Sequence, residues 1–150
     1  MAFFPRGKIA VGVVNAEGKS VFEDDLVAEI QNLPGDATIR RVFKVDKVPV
    51  PNIHYVGAHA LDGIANEAGL EWVECEMPAG AKSPMHTTPS IDFGTIITGE
   101  VTLILDSGEE KTLKPGDLYV LKAAAHAWEN RTSQSLRFSS ILAASRPGAV

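Results

Sequence analysis

Apolar positions recur along this chain with a period of two, in short runs separated by glycine, proline and polar turns. The clearest run is Leu70–Met77, in which Val73, Cys75 and Met77 alternate with Glu74 and Glu76. Side chains alternate across a β-strand, so this pattern predicts a strand with one apolar face. Thr38–Val45 is rich in β-branched residues and predicts another. Phe93–Ile97 and Val101–Leu105 flank Gly99–Glu100 and read as a hairpin. Leu118–Leu121 and Leu136–Leu142 add two more strands, and Lys8–Val14 with Ser20–Phe22 a shorter pair around the turn Asn15–Gly18.

Other stretches are less regular. Asp24–Leu33 is compatible with a helical turn or two, with an edge segment or with a loop, before Pro34-Gly35 turns the chain. Val48–Asn52 is extended, but Pro49 and Pro51 supply no ladder donor and keep it out of a central strand. Leu61–Gly69 reads as a loop. About ten short, closely spaced strands point to an all-β fold, an antiparallel β-sandwich or small barrel.

A length of 150 residues predicts one domain with one core. The 13 glycines and 9 prolines favour many turns over long helices. A net charge of −5, with no basic cluster longer than Arg40-Arg41, argues against nucleic-acid binding. No apolar run is long enough to span a membrane, and the N-terminus lacks the apolar region of a secretory signal, so a cytoplasmic protein is expected. The lone cysteine, Cys75, permits no internal disulfide and reads as a buried strand thiol.

Candidate chemistry concentrates between residues 80 and 130. His86, Thr88 and Asp92 share parity, so on one extended strand they would present an imidazole and a carboxylate to the same face. His126 becomes a third polar group if the following segment folds back beside the first. Trp128 shares the parity of His126 and reads as a pocket wall or a core aromatic. Asn130 is expected to satisfy turn backbone groups, and Lys122 to be a solvated charge.

The spacing resembles the cupin superfamily. Gly80, His86, Asp92 and Gly99 fall on the spacing of its first motif, and Gly116, His126 and Asn130 on the outer positions of its second. Thr88 stands in the position of a missing ligand, the motif's second histidine, and Asp92 replaces a glutamate. Lys122 replaces a proline, and the segment before His126 is one residue short. The resemblance implies a cupin jelly roll with a site formed by His86, Asp92 and His126. Those three can be read as ligands of a divalent metal such as iron, manganese, nickel or zinc. They can equally be read as a metal-free proton-transfer set. No organic cofactor is expected.

The resulting expectation is a small-molecule enzyme, a lyase or isomerase acting on a small organic acid or cyclic carbonyl compound by dehydration, decarboxylation or isomerisation. A metal-dependent dioxygenase and a non-catalytic metabolite-binding module are the alternatives. A homodimer is expected from family habit and from the strand-rich N-terminal half. His54 and His59 lie outside both motifs, as surface residues or extra groups at the barrel mouth.

Overall fold

In the computed structural model, which describes residues 5, 7–22, 28–48 and 69–145, alternation along the chain becomes three antiparallel sheets. β1 (Gly12–Val14) and β2 (Ser20–Phe22) form a two-stranded hairpin. β3 (Ile30–Asn32), β4 (Thr38–Val45), β5 (Leu70–Met77), β6 (Ser90–Thr98), β9 (Leu118–Lys122) and β11 (Leu136–Ala144) form a six-stranded sheet, in the order β3-β4-β5-β11-β6-β9. β7 (Val101–Leu105), β8 (Glu110–Leu113) and β10 (His126–Glu129) form the third sheet, in the order β10-β7-β8. Among the described residues there is no helix, and therefore none long and apolar enough to cross a membrane. The all-β jelly-roll expectation holds.

One local expectation changes, and one open alternative is decided. β6 and β7 do not pair as a hairpin; the chain crosses from one sheet to the other at Gly99. Gly99 adopts φ 77°, and a Cβ there would stand 2.5 Å from that of Leu136. Glycine thus permits a corner where a hairpin pattern suggested a return. In Asp24–Leu33, the described part forms the edge strand β3 and no helical turn, because Gln31 pairs with Ile39. Residues 23–27 and 49–68, with His54, His59 and most of the Val48–Asn52 and Leu61–Gly69 stretches, lie outside the described residues.

The core lies between the two larger sheets. Met77, Ile96, Leu136 and Phe138 of the six-stranded sheet pack with Val101, Leu103 and Trp128 of the other. Each fully buried side chain of this size contributes roughly 1.5–3 kcal/mol. The polar positions of β5 are buried too. Glu74 pairs with Arg40 at 3.0 Å, and Glu76 accepts from Arg137 Nε at 2.8 Å. The carbonyls of Gly7 and Pro5 accept from these arginines, so the N-terminal segment roofs the ion pairs.

Candidate functional site

Residues 81–89 form an arm between β5 and β6 that runs antiparallel to β10. The His86 N–H donates to the His126 carbonyl and the His126 N–H to that of His86, both at 2.9 Å. Ser83 N–H bonds the Trp128 carbonyl, and Asn130 N–H that of Ala81. Past Pro89 the chain joins the six-stranded sheet as β6. His86 and Asp92 therefore belong to opposite walls and do not share one strand face. Pro89 has no N–H to continue the ladder beside β10, and parity cannot report the change of sheet.

The bridge brings the imidazole rings of His86 and His126 to a centroid separation of 4.4 Å, tilted by 54°. His86 Nδ1 lies 2.8 Å from the Pro84 carbonyl, and His126 Nδ1 lies 2.8 Å from that of Ala124. A carbonyl oxygen can only accept, so each Nδ1 carries the hydrogen, and in the neutral rings Nε2 keeps its lone pair. Burial holds the His126 pKa below the ordinary value of 6.5; the Ala124 bond opposes this, and the neighbouring His86 adds to it.

Asp92 is buried on β6. Its two carboxylate oxygens accept from the Ser90 hydroxyl and, at 3.3 Å, from Thr88 Oγ1. Thr88, at the position where the motif has an imidazole, thus serves to hold the carboxylate. Among the described residues no three His, Cys, Asp or Glu side chains come close enough together to ligate one ion. The His86–Asp92–His126 ligand set is not assembled in this geometry. Two imidazoles on one wall face a carboxylate already engaged on the other.

All three groups nevertheless line one cavity of about 600 Å³ between the sheets. Ile39, Met77, Phe138 and Leu142 supply its apolar wall, with Trp128 beside His126 at a centroid distance of 5.7 Å. Trp128 is both pocket wall and core aromatic. Cys75 also lines the cavity, and burial pushes its thiol up to about 12, which leaves it protonated and inert. Asn130 donates to the carbonyls of Met77, Pro78 and Gln134, and accepts from Thr132, closing the turns at the base of the barrel. Lys122 is exposed at the end of β9.

Sequence reasoning missed Tyr119. Its phenol lines the cavity, packs edge-on against Trp128 at 4.9 Å and shares a hydrogen bond with Ser140. Burial raises its pKa well above the ordinary tyrosine value, so it stays neutral. The signal was present in the facing Gly94, whose lack of a side chain makes room for the ring, but the pairing is visible only in three dimensions.

Residues 73–142 match the cupin domain family. Over 127 residues the chain is 32% identical to a cupin-domain-containing oxidoreductase of Aspergillus ruber, covering 79% of this chain and 61% of that protein. A phomopsin biosynthesis cluster protein of Diaporthe leptostromiformis is 49% identical over 70 residues, which is 47% of this chain and 37% of its own length. The chain thus spans less than two thirds of either relative. Among solved structures, the cupin domain of Schizosaccharomyces pombe Cnp3 superposes with a TM-score of 0.60 at 14% identity, over 93% of this chain and 89% of that one. A cupin of Shewanella frigidimarina gives 0.54 at 17% identity, over 82% and 89%. At these identities the likeness is one of fold.

Proposed function

The chain belongs to the cupin superfamily, and on that premise we propose that it is a small-molecule lyase or isomerase that moves protons on a small organic acid or carbonyl compound. The observation that carries this reading is the paired imidazoles, each bound through Nδ1 to a backbone carbonyl. This leaves Nε2 of both rings as the nitrogens available to a ligand. Burial and the neighbouring His86 both hold the His126 pKa down, so His126 is a neutral ring suited to accept a proton. Neutral His126 takes a proton from the carbon beside a carbonyl, and His86 returns one elsewhere on the substrate. The apolar wall keeps water from the reacting carbon, and Asp92, fixed by Ser90 and Thr88, holds its carboxyl group on the facing wall.

A second reading is an oxidoreductase, favoured by the printed name of the Aspergillus ruber relative. That chemistry needs an electron acceptor beyond the described side chains. One experiment separates the readings. A panel of small keto acids and cyclic ketones is incubated with the protein in deuterated water and followed by proton NMR, with dissolved oxygen recorded in parallel. The expected result is exchange or conversion without oxygen uptake, reduced about 100-fold or more in His126→Gln. Unchanged turnover in that variant overturns the His126 assignment. Stoichiometric oxygen consumption transfers the site to the oxidoreductase reading, and ligand-dependent stabilisation without product to a binding module.

A further inference from the structure

Charge is distributed unevenly around the cavity between the sheets. Among the described residues that line it, Asp92 is the one carboxylate, and none is a lysine or arginine. Asp92 is buried, and its oxygens accept from the Ser90 and Thr88 hydroxyls. Those donors are neutral, so they hold the charge in place without cancelling it. The buried arginines stand elsewhere, each already paired: Arg40 with Glu74, Arg41 with Glu71 and Arg137 with Glu76. Of the residues outside that description, only Arg6 and Arg146 are arginine or lysine.

Size and lining point the same way. A cavity of about 150 Å³ holds benzene, so about 600 Å³ exceeds what a short-chain keto acid fills. Tyr119, Trp128 and Phe138 form one aromatic wall, with the Trp128 centroid 4.9 Å from Tyr119 and 4.8 Å from Phe138. Flat rings pack well on such a wall. Tyr119 and Ser140, which also line the cavity, share one hydrogen bond. Two hydroxyls bring two hydrogens and their mutual bond uses one, so one O–H remains for a ligand's oxygen.

We infer that the ligand of this cavity is an uncharged carbonyl compound built on one or more rings, and that Asp92 excludes carboxylates. The inference rests on the proposed proton transfer for its carbonyl, and narrows that reading to neutral substrates. An anion entering the cavity gives up its water, meets no cation and faces a like charge, and each of these opposes binding. A neutral ketone or aldehyde loses little hydration by comparison. Its oxygen takes the spare hydroxyl hydrogen, its rings cover the aromatic wall, and its acidic C–H suits the Nε2 lone pairs of the two imidazoles.

Equilibrium dialysis tests this on the full chain at about pH 8, where imidazoles of ordinary pKa are neutral. Three probes share one naphthalene ring position: methyl naphthyl ketone, naphthoate and naphthylmethylammonium. The ketone should bind at least about 30-fold more tightly than naphthoate. Asp92→Asn, with circular dichroism as the fold control, should cut that preference at least about 10-fold. His126→Gln should keep the preference while losing deuterium exchange, so a failed proton-transfer reading shows in exchange and a failed charge selection in dialysis. Naphthoate bound as tightly as the ketone overturns the inference. So does the ammonium probe bound more tightly than the ketone, or a preference that Asp92→Asn leaves intact. Binding of no probe at millimolar concentration overturns it as well. If Asp92→Asn does not fold, the wild-type ratios still decide.

Discussion

Gly94 and Tyr119 face each other in register on β6 and β9, and a Cβ on Gly94 would stand 2.1 Å from Tyr119 Cζ. On its other side Gly94 is registered with Ser140 of β11. The missing side chain is thus a trough in which the Tyr119 ring lies across β6 to share a hydrogen bond with Ser140. Gly94→Ala must displace the ring, which packs against Trp128, so it should destabilise the fold by about 1–3 kcal/mol. Urea denaturation measures this. Combining it with Tyr119→Leu should recover part of the loss, since the two sites share one space. Strictly additive losses would show that Tyr119 does not lie there.

His126 ties stability to pH. Its folded pKa lies below 6.5, with burial the largest cause. The unfolded chain therefore takes up this proton first as pH falls. Stability from the neutral ring is fully present above about 6.5 and is lost as pH drops through the depressed folded value. Melting temperatures recorded between pH 7.5 and about 5 should decline more steeply for the wild type than for His126→Gln. Parallel curves would remove His126 as the source.

Arg137→Ala would take from Glu76, a fully buried carboxylate, the guanidinium that bonds it from β11. Breaking a buried pair costs up to about 3–5 kcal/mol, measurable as a fall in the urea midpoint. Replacement of an exposed pair member, as in Glu110→Ala opposite Arg131, should change stability by less than about 1 kcal/mol.

Asn130→Ala removes the donor shared by the carbonyls of Met77, Pro78 and Gln134. Pro78 and Gln134 still accept from the Ala81 N–H and the Thr132 hydroxyl, so a drop in unfolding free energy of about 1–3 kcal/mol is expected. Asn130→Asp should not restore it, because a carboxylate accepts and cannot donate to these oxygens.

What the residues specify locally was legible in their order. The alternation in Leu70–Met77 and the β-branched run Thr38–Val45 became β5 and β4 with the same bounds. Strand formation depends on near neighbours whose side chains alternate between faces, so a one-dimensional pattern carries it. The turn glycines and the burial of Cys75 in a strand wall were readable for the same reason. So was the spacing of His86, Asp92 and His126 within the cupin motifs, and all three do line one cavity.

Sheet membership was decided by pairing between distant segments. Gly99 joins two sheets because Leu136, far along the chain, packs against it. His86 bonds across to His126 while Asp92 enters β6, so residues of one parity end on opposite walls. Glu74 and Glu76 look solvated in order along the chain, yet they are buried by Arg40 and Arg137 from other strands. Tyr119 entered the site through the space left by Gly94. Sequence alone determined most of the strands and singled out His86, Asp92 and His126 as candidates. The tertiary structure decided which groups meet, because hydrogen-bonded register and mutual exclusion of volume act between residues the chain order keeps apart.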